Sequence, residues 1–219
     1  MKLSRTLLFA AMLVSITACG PSGKKVSNHA FTSNLAGLTL DQSQAPTLVY
    51  KRPGAPTLAA YKRFIIDPVR VDYRDPKMRE ISQEDLRQFQ VYFYQAVEKA
   101  LKDGGYEVGT RTQPGTMRIS FTLSGLEASN LGGAANVAVI AAGAVVGLPG
   151  VFAVSVGKVT VEGVFREAMS NRIDAVAVSR SEGSRVFKNK PWSTWADVRA
   201  SFDNWAEGIR KAVDKAHGK

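Results

Sequence analysis

The pattern that most constrains the fold is a stripe of apolar residues, spaced for one face of a helix, between residues 82 and 105. Side chains at three- and four-residue steps line one side of an α-helix, so that side must be buried against other parts of the chain. Ser82, with Asp85 three positions later, resembles a capping box, and Gly104 with Gly105 is typical of a helix end. The stripe comprises Leu86, Phe89, Phe93, Val97, Ala100 and Leu101. We therefore predict a long helix that is packed along one side.

Strand patterns flank this helix in the sequence. Residues 63–71 are apolar on both faces, as in a strand within a sheet, although Pro68 requires a bulge or an edge position because proline cannot donate to a neighbouring strand. Residues 117–124 alternate between apolar and polar side chains, which is typical of a strand with one buried face. A turn at Ser170 and Asn171 predicts a hairpin. The predicted strands lie at 63–71, 106–108, 117–124, 158–165 and 175–178.

A second amphipathic helix is predicted from about Thr194, where Thr194 and Asp197 have the spacing of a helix cap. Its apolar stripe comprises Val198, Phe202, Trp205, Ile209, Val213 and Ala216. The clustered tryptophans Trp192, Trp195 and Trp205 could form a carbohydrate platform, but docking against the sheet is favoured. The order of elements predicts an α+β fold: a sheet of about four or five strands, mixed or antiparallel, with two long helices packed on one face.

The first twenty residues resemble a bacterial lipoprotein signal. Lys2 and Arg5 form a short positive region, and the apolar run at 7–14 is too short for a membrane span, which needs roughly 20 residues. The run leads to Ile16-Thr17-Ala18-Cys19, which resembles the lipobox, an aliphatic residue and two small residues before a cysteine. The resemblance implies a signal peptide at 1–18, cleavage before Cys19 and lipidation of the Cys19 thiol.

Lipidation would give a use to Cys19, because the chain has no other cysteine with which it could form an intramolecular disulfide. Gly20 follows the cysteine where Asp would imply retention in the inner membrane, so the resemblance implies an anchor in the outer membrane, facing the periplasm. We predict a lipidated tether and docking segment at 19–57, rich in small and polar residues and prolines. A single α+β domain is predicted at 58–219.

Three motifs in the mature chain form a distinctive set. They are Ile66-Asp67-Pro68-Val69 in the first predicted strand, Gly105-Tyr106 after the first helix, and Phe202-Asp203-Asn204-Trp205 in the last helix. Together they resemble the domain-of-unknown-function 3313 (DUF3313) family of Gram-negative envelope lipoproteins. The resemblance covers nearly all of the mature chain. It implies a lipid and an envelope location, but no established activity.

Residues 128–157 carry no charge and contain eight alanines and six glycines, so this segment is unlike the rest of the chain. A flexible or helical insertion, packed on the domain or on a partner, is the favoured interpretation. A membrane-inserting hairpin fits by length, since a transmembrane strand needs about 9–11 residues, but the segment lacks the alternation of such strands. A buried core strand is the third alternative.

The sequence lacks the residue patterns of the common catalytic classes. His29 lies in the predicted tether and His217 lies close to the C-terminus, so neither is well placed for a rigid site. There is no Ser-His-Asp order, metal-spaced cluster or phosphate-binding loop. Asp67 and Asp72 should lie on opposite faces of a strand, and Asp67 is expected to bond the backbone around Pro68. We therefore expect no enzyme, no cofactor and no bound metal.

The charge of the chain bears on its partners. The net charge of +10 falls by two once Lys2 and Arg5 leave with the signal. A basic periplasmic protein can meet anionic lipid, lipopolysaccharide or peptidoglycan, although a generally basic surface is the simpler interpretation. Export argues against nucleic acid. We expect membrane attachment through the lipid, an envelope protein partner or a homo-oligomer, and a non-catalytic binding or assembly role.

Two other functions fit the sequence. The uncharged segment at 128–157 would suit an oligomeric pore or a secretion-system subunit, and the tryptophan-rich C-terminal part would suit peptidoglycan or glycan binding.

Overall fold

The computed structural model describes residues 31–44, 47–127, 158–182 and 196–219. These ranges contain one mixed sheet of eight strands, two helices of 21 residues each and one short helix. The strands are β1 (Thr39–Asp41), β2 (Leu48–Lys51), β3 (Arg63–Ile66), β4 (Arg70–Val71), β5 (Glu107–Val108), β6 (Thr116–Glu127), β7 (Lys158–Glu167) and β8 (Ile173–Glu182). The helices are α1 (Pro76–Arg79), α2 (Gln83–Asp103) and α3 (Ala196–Ala216). The predicted α+β class is confirmed.

The predicted number of four or five strands was wrong, because the described sheet has eight. β1 and β2 come from the segment that was predicted only to dock on the domain, and they extend the sheet from β8. Pro68 divides the single strand predicted at 63–71 into β3 and β4, which pair with successive stretches of β6. These strands have only two to four residues each, which is too short for an alternating pattern to be recognised.

The sheet order is β1-β2-β8-β7-β6-β3-β5, with β4 beside β6. β6, β7 and β8 are antiparallel neighbours, whereas β3 and β4 run parallel to β6. The predicted hairpin is therefore confirmed as β7 and β8. Its turn contains Asn171 at φ 56°, a left-handed conformation that asparagine tolerates better than most residues.

The helix α2 begins and ends where its capping residues predict. The Ser82 hydroxyl oxygen accepts a hydrogen bond of 3.0 Å from the backbone N–H of Asp85, which satisfies one of the unpaired amides of the first turn. After the helix, Gly105 adopts φ +81°, a conformation that costs glycine little. The predicted stripe is confirmed, since its buried members are Leu86, Phe89, Phe93, Val97 and Leu101.

Both long helices cover the same face of the sheet. The Phe93 ring of α2 lies 4.8 Å from the ring of Phe121 on β6 and stacks at 4.8 Å on Phe202 of α3. Since Phe121 alternates with polar residues on β6, the helices share one side of that strand. The core on this face also includes Met117, Ile119, Leu123, Val159, Val161, Val198 and Val213. In the described residues, no helix has both the length and the apolarity to cross a membrane.

The other face of the sheet is covered in part by the N-terminal segment. Phe31 meets the ring of Tyr50 on β2 edge to face, with 5.2 Å between the ring centroids. Thr32 bonds to Glu162 on β7 through both its backbone N–H and its hydroxyl. Beneath this segment lie Val164, Val176 and Val178, which are 4% exposed or less. The part of this helix-free face on β6 is polar, and Ile65 of β3 is buried beside it.

Candidate functional site

The predicted sites are only partly within the described residues. Cys19, the segment 128–157 and the tryptophans 192 and 195 lie outside them. Trp205 lies inside and docks on the sheet as predicted, because its indole Nε1–H donates to the Ser179 hydroxyl on β8 at 3.1 Å. His217 holds the end of α3 in place, with Nε2 lying 3.0 Å from the carbonyl oxygen of Tyr61.

Two arginines face each other on the helix-free face, near the end of β7 that leads into the turn to β8. Arg118 on β6 is the direct cross-strand partner of Arg166 on β7. Directly opposed side chains in an antiparallel pair have Cβ atoms about 5 Å apart, and like charges at that distance destabilise the pair. The exposed Arg70 on β4 lies on the same face, because its register partner Thr122 is two residues beyond Ser120. We call Asp67, Arg70, Arg118, Ser120 and Arg166 the arginine site.

A short chain of hydrogen bonds joins three members of the arginine site. The Arg166 guanidinium donates through Nη1 to the Ser120 hydroxyl oxygen at 3.1 Å, and that hydroxyl donates to Asp67 Oδ2 at 2.6 Å. Ser120 is only 2% exposed, so its position is fixed by the sheet around it. Asp67 was expected to bond the backbone around Pro68. In the structure its carboxylate instead accepts a hydrogen bond from the Ser120 side chain on the neighbouring strand β6.

The arginine site has unused capacity to bind anions. Arg118 Nη1 lies 3.9 Å from Asp67 Oδ1, beyond hydrogen-bond distance, and its buried Nε–H has no partner among the described residues. Burial lowers the pKa of the Arg166 guanidinium, and the nearby positive charge of Arg70 lowers it further. Because arginine stays protonated in proteins, the lowered pKa means that the charge is held there at a free-energy cost. An anion between the guanidinium groups would reduce that cost.

Glu162 is another acidic group of this face, and it is already engaged. It is 2% exposed and accepts from the N–H and the hydroxyl of Thr32, 130 residues away in sequence. A buried carboxylate needs such donors because burial without partners is costly. The N-terminal segment therefore supplies hydrogen-bond donors to Glu162, while Asp67 accepts from Ser120 and lies 3.9 Å from Arg118.

A polar cavity of about 330 Å³ lies at the end of β3, between β5 and the loop that leads to β6. Arg63 and Glu107 on its wall form an ion pair of 2.9 Å, and both side chains are exposed. Exposed pairs of this kind contribute little to stability or affinity. With Arg111 also on its wall, the cavity is lined by two basic side chains and one acidic side chain.

The described residues contain no group of three metal-ligating side chains. Arg118 and Arg166 were missed as site residues by sequence reasoning. The alternation in 117–124 indicates that Arg118 lies on the polar face of a strand. It cannot indicate which residue lies opposite, because the register of β6 and β7 depends on the whole hairpin.

Among solved structures, a PelC dodecamer from Paraburkholderia phytofirmans is similar over 76% of this chain and 96% of that chain, with 11% identity and a TM-score of 0.43. A minor lipoprotein from Acinetobacter baumannii matches over 72% and 94%, with 12% identity and a TM-score of 0.37. A DUF330 protein from Xanthomonas campestris matches over 77% and 94%, with 9% identity and a TM-score of 0.40. We base no assignment on likenesses this weak.

The sequence itself gives a firmer result. No curated protein matches it. Residues 27–209 match the profile described as protein of unknown function (DUF3313), which extends over most of the chain and includes all three motifs that carried the predicted resemblance. The chain therefore belongs to the DUF3313 family.

Proposed function

We propose that this protein is a non-catalytic lipoprotein of the cell envelope that binds anionic groups at the arginine site. The observation that carries the binding role is the direct opposition of Arg118 and Arg166 across β6 and β7. Like charges held opposite each other reduce stability unless something compensates them. Guanidinium groups form paired hydrogen bonds with phosphate and carboxylate oxygens, so an anionic ligand is the natural compensation.

The lipobox-like sequence ending at Cys19 supports attachment to a membrane. With Gly20 after the cysteine, we place the anchor in the inner leaflet of the outer membrane, so that the domain faces the periplasm. More than one acyl chain is needed for stable anchoring, and lipoprotein maturation supplies this. The partner of the bound domain is an envelope component that carries negative charge, or a second copy of the chain.

The anchor is tested by the mass of the N-terminal peptide of the protein purified from membranes. We expect a peptide that starts at Cys19 and carries acyl chains. A mature Cys19→Ser chain, produced as residues 19–219 without the signal segment, should be recovered without lipid from the soluble fraction. An unmodified Cys19 in the membrane-purified protein would contradict the proposal.

The binding role is tested on the soluble Cys19→Ser chain by thermal unfolding in chloride and in inorganic phosphate at matched ionic strength. A ligand at about 100 times its Kd stabilises a protein by about 2.7 kcal/mol. We expect phosphate to raise the Tm and Arg118→Gln with Arg166→Gln to abolish the rise.

The matched control for this charge change is Arg87→Gln with Lys99→Gln on α2, where both side chains are more than 70% exposed. This pair should keep the full response to phosphate. Equal shifts in all three proteins would show that phosphate acts away from the arginine site.

A further inference from the structure

We propose that the anionic groups bound at the arginine site are phospholipid headgroups of the membrane that holds the anchor, so that the helix-free face of the sheet lies against the bilayer. This inference rests on the proposed function for its anchor and its site. It adds the partner and the orientation of the domain.

The point at which the N-terminal segment reaches the domain gives the first step. Phe31 and Thr32 lie on the helix-free face, where Phe31 contacts the ring of Tyr50 and Thr32 donates to the carboxylate of Glu162. Glu162 is four residues from Arg166 on β7, so both side chains point to the same face. The chain that comes from the lipid therefore meets the domain on the face that carries the arginine site.

The length of the tether gives the second step. The segment from Cys19 to Phe31 advances twelve residues, which span at most about 40 Å even when fully extended. A globular domain of this size has a radius of gyration of about 16 Å and thus a diameter of about 40 Å. A tether that started at a membrane on the other side of the domain would need its full extended length only to match the diameter of the domain. The helix-free face is the one that the anchor holds near the bilayer.

The distribution of charge gives the third step. The two long helices together carry eight acidic and seven basic residues, so the helical layer has a net charge of −1. The opposite face carries Arg70, Arg118 and Arg166, with two carboxylates near them, those of Asp67 and Glu162. An anionic membrane attracts each basic residue near its surface, which corresponds to about a fivefold gain in binding per residue.

Vesicle binding by the mature Cys19→Ser chain (residues 19–219) tests this inference, because without the lipid and the signal segment any attachment must come from the protein surface. We expect the chain to sediment with vesicles of phosphatidylcholine and phosphatidylglycerol, and to remain in solution with phosphatidylcholine alone. Arg118→Gln with Arg166→Gln should lower binding to the anionic vesicles about 25-fold. The control pair Arg87→Gln with Lys99→Gln has the same net charge as the variant with Arg118→Gln and Arg166→Gln. It should bind the anionic vesicles as tightly as the parent does.

A fluorescent reporter tests the orientation. Cys19→Ser leaves the chain without cysteine, so a single new cysteine can carry an environment-sensitive dye. The dye at Thr122→Cys on the helix-free face should respond to anionic vesicles, and the dye at Val91→Cys should not, because Val91 is a 49% exposed residue of α2. A response at Val91 alone would overturn the orientation.

The outcomes separate this inference from the proposed function. No sedimentation with anionic vesicles, or an equal loss in the control pair, overturns the inference. If phosphate still raises the Tm through Arg118 and Arg166, the site binds a soluble anion and the proposed function stands. If phosphate has no effect or Cys19 carries no lipid, the proposed function itself fails.

Discussion

Buried tyrosines tie the edges of the core together through hydrogen bonds to carboxylates. The Tyr61 hydroxyl donates to Asp174 Oδ2 at 2.6 Å, and the Nε–H of Arg172 donates to Oδ1 of the same carboxylate at 2.7 Å. The Tyr106 hydroxyl donates to Asp214 Oδ1 of α3 at 2.8 Å. Burial raises the pKa of both phenols, and the adjacent carboxylates raise it further, because each disfavours the phenolate.

The raised pKa of Tyr106 predicts a loss of stability in alkaline solution. Its pKa rises from 10.0 to about 12 in the folded protein, so between these values the folded state holds more protons than the unfolded state. The free energy of unfolding must then fall as the pH rises from 10 to 12, and the contribution is fully present below pH 10. Urea unfolding of the parent and of Tyr106→Phe at pH 8 and pH 11 should show a smaller loss in the variant.

Tyr73→Phe is the control for this experiment, since Tyr73 is 43% exposed. Its unfolding free energy should decrease with pH as much as that of the parent. If Tyr106→Phe shows the same decrease as the control, the phenol of Tyr106 does not contribute to alkaline unfolding.

At the scale of elements, α2 depends on its first turn. Ser82 satisfies the amide of Asp85, and the Ser82 hydroxyl also donates to the Asp85 carboxylate at 2.9 Å. α2 supplies the aromatic residues on which α3 packs, through the Phe93–Phe202 stack and the Tyr92–Asp203 hydrogen bond of 2.9 Å. Fraying of the first turn of α2 is therefore expected to weaken the helical layer near Tyr92.

We predict that Ser82→Ala lowers the free energy of unfolding by about 1 kcal/mol, the typical cost of losing an N-cap. Ser82→Thr retains a hydroxyl in the capping position and should keep most of the stability. Urea denaturation of the three proteins measures both values. A loss as large in Ser82→Thr as in Ser82→Ala would show that the hydroxyl is not the stabilising group.

At the scale of the whole molecule, the N-terminal segment and the middle of the sheet form one unit. Thr32 and Glu162 are far apart in sequence, yet the two hydrogen bonds between them compensate a carboxylate that is 2% exposed. The segment leading from the predicted anchor is thus attached to β7, between the N-terminal strands and the arginine site.

We predict that Thr32→Ala destabilises the protein by about 1–3 kcal/mol, because a buried carboxylate oxygen loses its donor. Thr39→Ala is the matched control, since the Thr39 hydroxyl makes an exposed bond of 3.2 Å to the carbonyl of Lys51. It should change the free energy of unfolding by less than about 0.5 kcal/mol. Equal effects of the two substitutions, measured by urea unfolding, would mean that the Thr32 hydroxyl does not contribute to the stability of the sheet.

The sequence by itself determined the elements whose signal is local. The stripes of α2 and α3, the cap at Ser82 and the hairpin around Asn171 all follow from residues within a few positions of one another, and the structure has each of them. Periodicity and capping act over one or two turns, so a single segment carries the whole signal.

Only the tertiary structure decided what depends on distant partners. β1 and β2 are too short to be recognised alone, and they are strands because β2 pairs with β8 and β1 pairs in turn with β2. The arginine site exists because the register of the hairpin sets Arg166 opposite Arg118, while β3 brings Asp67 beside both. A shift of one residue would move every side chain to the other face, so this arrangement is fixed by the packed core and not by any local pattern.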